Sequence, residues 1–139
     1  MFGPPGRAYV YRSYGMHWCM NVVTGREGEA QAVLLRGIEP LDGEAVMSRR
    51  RGGRRPLGAG PGRLCMALGV TGALYGHDLS EPPLVLQTGW VVDDARVGVS
   101  RRVGVRAAVD WPYRFYVRGS AGVSRPDGWG SSQERQTDE

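Results

Sequence analysis

Tyr9-Val-Tyr-Arg-Ser-Tyr-Gly-Met-His-Trp-Cys-Met-Asn-Val-Val23 reads as two strands joined by a tight bend. Tyr9, Val10 and Tyr11 are strand formers, and so are Trp18, Val22 and Val23. Between them Gly15 takes positive φ without cost, so the chain is expected to fold back at Tyr14-Gly15-Met16. That bend places an aromatic ring, Tyr14, and a flexible thioether, Met16, at an exposed tip flanked by Arg7 and Arg12. An aromatic wedge between positive charges suits entry into a nucleic-acid groove. The same residues also describe a hairpin packed on a core, and both faces of Tyr9–Arg12 carry bulky groups. The stretch alone leaves both readings open.

The 139 residues are enough for one domain with a core and too few for two. With 22 Gly and 9 Pro, the chain should be rich in turns and short elements. Net charge is +4, and all 18 basic residues are Arg. Arg stacks on bases and grips phosphate with paired hydrogen bonds, which suits an anionic partner. A GC-rich genome produces the same bias. Cys19 and Cys65 stand apart, with no CxxC and no His at ligand spacing, against a structural zinc or a disulfide scaffold. No metal and no cofactor is expected. No apolar run approaches membrane-spanning length, and the N-terminus lacks a signal-peptide core, so the expected setting is cytoplasmic, at the nucleoid in a bacterium.

Outward from the hairpin, Ala30–Arg36 reads as a buried strand closed by Arg36. That charge is either a strand end snorkelling to water or a cation carried on a rigid element into a site. Asp42 is expected to cap a helix over Gly43–Arg51, with Glu44 and Arg49–Arg51 matching the helix dipole. Ser48–Arg63 carries six Arg and reads as a flexible linker or a phosphate-contacting arm, unable to build a core. Gly60-Pro61-Gly62 leads into a short helix, Arg63–Leu68, stopped by Gly69. Its start, with Arg63 beside it, offers N–H groups to a phosphate. Asp78 is placed to cap or bend the chain. Leu84–Gln87, Trp90–Val92, Val97–Val99, Val103–Val105 and Tyr113–Arg118 read as strands. Residues 125–139 read as a disordered tail.

Taken together, the motifs resemble one family. They are Gly-Pro-Pro-Gly-Arg-Ala-Tyr-Val-Tyr (3–11), Tyr14-Gly15-Met16, Cys19-Met20-Asn21, Val33-Leu34-Leu35-Arg36-x-x-Glu39-Pro40 and Gly60-Pro61-Gly62-Arg63-Leu64-Cys65-x-Ala67-Leu68-Gly69. Asp78-Leu79, Arg102-Val103-Gly104 and Arg114-Phe115-Tyr116-Val117 complete the set. In that order, from Gly3 to Ser124, they look like the alkyladenine (3-methyladenine) DNA glycosylase family of the mammalian type. The resemblance implies a single-domain α/β (α+β) fold spanning 1–124. It would have a curved, mainly antiparallel sheet, short surrounding helices and a protruding hairpin for the DNA minor groove. It implies base excision repair by a monomer on double-stranded DNA, in which a damaged purine is flipped out and its N-glycosidic bond hydrolysed.

Carried over position by position, Tyr14 matches the residue that fills the gap left by the flipped nucleotide, with Met16, Arg12 and Arg63 as further DNA contacts. Tyr11 matches an aromatic that stacks on the extruded base. Asn21 matches the side chain that crowds the 2-amino group of guanine, a selection by clash. Arg36 matches the residue holding the attacking water and adjacent phosphate, and Val103 the position whose backbone carbonyl contacts that water. The family's general base lies in a Glu-x-Glu-Ala-Tyr segment upstream of the hairpin, and no such motif occurs here. The expectation is therefore a member lacking its N-terminal part, with Met1 internal to the family pattern and with little or no excision activity. The other readings are a non-catalytic minor-groove DNA-binding fragment and a pseudogene product without a stable fold.

Overall fold

Alternation along the hairpin decides how the molecule is layered. The computed structural model describes residues 1–124; the tail expected at 125–139 lies outside the described residues. Strand β1 (Ala8–Ser13) runs antiparallel to β2 (His17–Val23), which pairs on its other edge with β3 (Ala32–Leu34), giving the order β1-β2-β3. The register sets Ala8 opposite Val22, Val10 opposite Met20 and Arg12 opposite Trp18. These side chains share one face, since strand residues alternate sides. Ala8, Val10 and Met20 are buried there with Leu64, Cys65, Val70 and Leu79, and Trp18, Val22 and Leu35 pack around them.

Helix α1 (Glu44–Arg50) and helix α2 (Pro61–Leu68) follow. Gly-Pro-Gly starts α2 with Pro at its first turn, and Gly69 ends it in the left-handed region at φ 72°. Leu64, Cys65 and Ala67 form its buried side, and α2 packs on β2. Arg50 ties the two helices together. Its guanidinium donates to the Ala67 carbonyl (3.1 Å) near the carbonyl end of α2, where a cation interacts favourably with the helix dipole.

Several expectations need correcting. Asp42 does not cap α1: the cap is Gly43 in the left-handed region, and the Asp42 carboxylate accepts from the Gly43 N–H at 2.6 Å. The Arg-rich segment is not a simple linker, because Arg51, Leu57 and Ala59 are all buried. Leu84–Gln87, Trp90–Val92 and Val103–Val105 are not strands. Arg7 does not flank the tip; it bridges to Asp78 at 3.2 Å and its backbone pairs there as well. Asp78 does bend the chain, its carboxylate accepting from the Ser80 N–H (2.9 Å) and hydroxyl (2.6 Å).

The class is the one expected, a small single-domain mixed α/β chain with antiparallel sheets and two helices. Two compact units are distinguished within it. The first holds the three-stranded sheet and both helices and takes in Ala121–Ser124. There the Ala121 N–H donates to the Glu39 carboxylate (3.1 Å), and Gly122 lies backbone to backbone against Gly37 and Ile38. The second, described over 92–120, is built on β4 (Val97–Ser100) paired antiparallel with β5 (Arg114–Val117). On one face of that ribbon Arg114 is buried, donates to the Ser100 hydroxyl at 2.9 Å and lies over Tyr116, which packs on Gly98. Val103 stands in a bend just before Gly104, at φ 73°.

Candidate nucleic-acid interface

The tip is tighter than a flexible loop. Tyr14 at φ 51° and Gly15 at φ 67° are both left-handed, and the Met16 N–H closes the bend on the Ser13 carbonyl at 3.1 Å. Two successive positive φ values match the right-handed twist of a hairpin. Gly15 adopts this freely, whereas Tyr14 does so at a cost. The bend stands Tyr14 out with 75% of its surface exposed and Met16 with 69%. Neither side chain belongs to the core. Arg12, on the core-facing side of β1, lies over the Trp18 ring at 5.3 Å, so its charge is steadied near the tip.

The opposite face of the same strands gathers the other candidates. The register pairs Tyr9 with Asn21 and Tyr11 with Cys19, and β3 pairs Leu34 with Asn21. The Leu35 N–H donates to the Met20 carbonyl at 3.0 Å, which continues that register and brings Arg36 opposite Cys19. Tyr11, Cys19 and Arg36 therefore stand side by side across three chain segments. Burial, then the adjacent Cys19, raise the Tyr11 hydroxyl above its usual range, and the Arg36 cation opposes the rise. Burial also raises the Cys19 thiol, against a hydrogen bond with Tyr11 and the same cation. Arg36 is held through its backbone, whose carbonyl accepts from the Gly60 N–H at 2.9 Å.

Asn21 is only 7% exposed, and its side-chain amide donates to the Tyr9 carbonyl at 3.2 Å. That bond fixes the amide's direction, as any selection by clash requires. Tyr9 and Tyr11 lie 5.6 Å apart between ring centres, tilted by 34°. Arg63 sits in the first turn of α2, exposed, and donates to the Ala59 carbonyl at 3.1 Å. Close to it is a group that sequence reasoning missed. Arg51 is 8% exposed, and its guanidinium reaches the Pro56 carbonyl and the Met66 sulfur. Desolvation, then Arg63 and Arg54, push its pKa below the ordinary Arg value. The Arg run carried no signal as to which member turns inward. Val103 belongs to the second unit and is described there alone.

The exposed aromatic tip thus stands at the end of a strand pair whose outer face carries Tyr9, Tyr11, Cys19 and Asn21. The model of the Methylpurine-DNA glycosylase family matches residues 1–121, and the chain belongs to that family. A protein of Rhodopseudomonas palustris (strain BisB18) is 50% identical over 128 residues, covering 91% of this chain and 63% of its own length. Another from Bradyrhizobium diazoefficiens is 48% identical with the same coverage, and one from Carboxydothermus hydrogenoformans is 45% identical, with 90% of this chain and 67% of its own length covered. All three bear the name "Putative 3-methyladenine DNA glycosylase". The chain thus spans about 63% of the length of the first two relatives. No helix among the described residues is long and apolar enough to cross a membrane.

Proposed function

We propose that this chain serves a DNA glycosylase of base excision repair that acts as a monomer on damaged purines in double-stranded DNA, entering by the minor groove. One observation carries the reading: Tyr14 is held out of the core by a bend that costs backbone energy, just past the end of the strand that carries Tyr11 on its outer face. Strain kept at an exposed position asks for a use outside the fold. In the proposed mechanism Tyr14 occupies the slot vacated by a flipped nucleotide and offsets part of the unstacking cost of a few kcal/mol. The extruded purine stacks on Tyr11, and the tethered Asn21 amide crowds a 2-amino group. Arg12, Met16 and Arg63 contact the duplex.

Arg36 holds the water and the neighbouring phosphate. Water oxygen then bonds to the anomeric carbon as the sugar–nitrogen bond breaks, and the departing purine keeps the electron pair. An alkylated purine leaves as a neutral base, whereas hypoxanthine needs a proton or hydrogen bond. The water's own proton passes to a carboxylate. The family resemblance assigns that carboxylate to the Glu-x-Glu-Ala-Tyr motif, which does not occur in these 139 residues.

The test is binding and excision on a duplex with a single hypoxanthine. The 139-residue chain is expected to prefer it over the undamaged duplex and to release little base. Tyr14→Ala should lose about tenfold in that preference, the scale of one stacking contact. Equal preference in the variant would remove the wedge from the account, and excision at a relative's rate would refute the assignment of the carboxylate.

A further inference from the structure

We propose that Tyr75 is a positioning residue whose ring braces Tyr9 and, through Tyr9, sets the tilt of Tyr11. The proposal deepens the reading of Tyr11 as the ring that receives the purine, and rests on it. Three rings stand in succession along β1. Tyr75 meets Tyr9 edge to face, with centres 6.0 Å apart and planes at 69°, and Tyr9 meets Tyr11 at 5.6 Å.

The turn that carries Tyr75 is fastened to the strand that carries the other two. Gly72–Leu74 forms a single 3₁₀ turn, capped by the Thr71 hydroxyl accepting from the Ala73 N–H. The Tyr75 N–H donates to the Gly72 carbonyl (3.0 Å), and the next N–H, of Gly76, donates to the Ala8 carbonyl (2.8 Å), one residue before Tyr9. Leu74 packs against the core, while Tyr75 is 62% exposed.

An exposed ring so placed adds little to the core. Its contact bears on the ring beside it. A tyrosine on an open strand face hops between rotamers, and a stacking platform that hops loses part of its contact with a flat ligand. Edge-to-face contact at one end of the row and the Asn21 amide on the Tyr9 backbone restrict Tyr9, and a restricted Tyr9 limits Tyr11. The row thus takes a single purine at its Tyr11 end.

The experiment uses the 139-residue chain and a duplex carrying one ethenoadenine, a fluorescent purine, and follows base emission on binding. Tyr75→Leu should weaken binding of this duplex about three- to tenfold, the worth of one aromatic pair, with an unchanged melting temperature. Tyr75→Phe, which keeps the ring, should restore it. In the free chain, Tyr75→Leu should also shift the Tyr11 ring proton resonances. If Tyr75→Leu binds like the parent while Tyr11→Leu does not, or if the Tyr11 resonances stay put, the brace is wrong. If Tyr11→Leu binds like the parent, the assignment of Tyr11 falls, and the resonance shift alone decides whether the rings are coupled.

Discussion

Tyr14 shows what a single residue can be asked to hold. Its left-handed backbone is comfortable for Asn and uncomfortable for a ring, and its side chain gains little from the rest of the molecule. Tyr14→Asn should therefore stabilise the chain by about 0.5–1 kcal/mol, read as a higher urea midpoint with unchanged slope, while lowering preference for damaged duplex. A loss of stability would mean that the ring is supported after all. Cys65 gives a second prediction. Burial, then the neighbouring Cys19, push its thiol up to about 11, a hydrogen bond with the Met20 backbone pulling the other way. An unfolded thiol ionises from about pH 8.5, so between there and about 11 the unfolded chain binds fewer protons than the folded one. Stability is full below that window and falls through it as pH rises, and Cys19, also raised, adds in the same direction. Denaturation at stepped pH should show the fall in the parent and a shallower one in Cys65→Ala. At this scale the exposed placement of Tyr14 was legible from the turn that Gly15 announces. Tyr75 and Arg51 were not, since one depends on a turn docking beside β1 and the other on which of several adjacent Arg turns inward.

Among the elements, β2 serves two faces at once. Trp18, Met20 and Val22 look to the core, and Cys19 and Asn21 to the tyrosine face. Trp18 also joins the hairpin to the turn after α2, where a Cβ on Gly72 would stand 2.7 Å from the indole. Gly72→Ala should force the ring aside and cost about 1–3 kcal/mol, visible as a lower melting temperature; an unchanged one would show that the indole has room to move. The hairpin and α2 could be read in advance because Gly15, Pro61 and Gly69 punctuate them at positions with one good backbone solution. Leu84–Gln87 and Val103–Val105 could not. Their apolar residues have strand propensity, but a strand also needs a neighbour with a free edge, and propensity carries no record of one. Asp42 failed as a cap for a related reason, since its carboxylate found a nearer donor in Gly43.

For the whole molecule, charge and connectivity matter more than any one contact. A net charge of +4 carried wholly by Arg predicts duplex affinity that falls linearly on logarithmic axes as salt rises. Arg12→Ala should lower that slope by about one ion, and a slope that does not change would take Arg12 out of the phosphate contacts. Arg63→Ala serves as a second measure of the same quantity. Connectivity bears on Arg36. The loop before α2 holds its carbonyl, and Ala121 and Gly122 close on Gly37–Glu39, which immediately follow it. Those two stretches are 82 residues apart in sequence at the Ala121–Glu39 bond. A ribosome must therefore read far past Arg36 before the corner that follows it can be locked, so that cation waits on a stretch of the newborn chain made much later than its own strand.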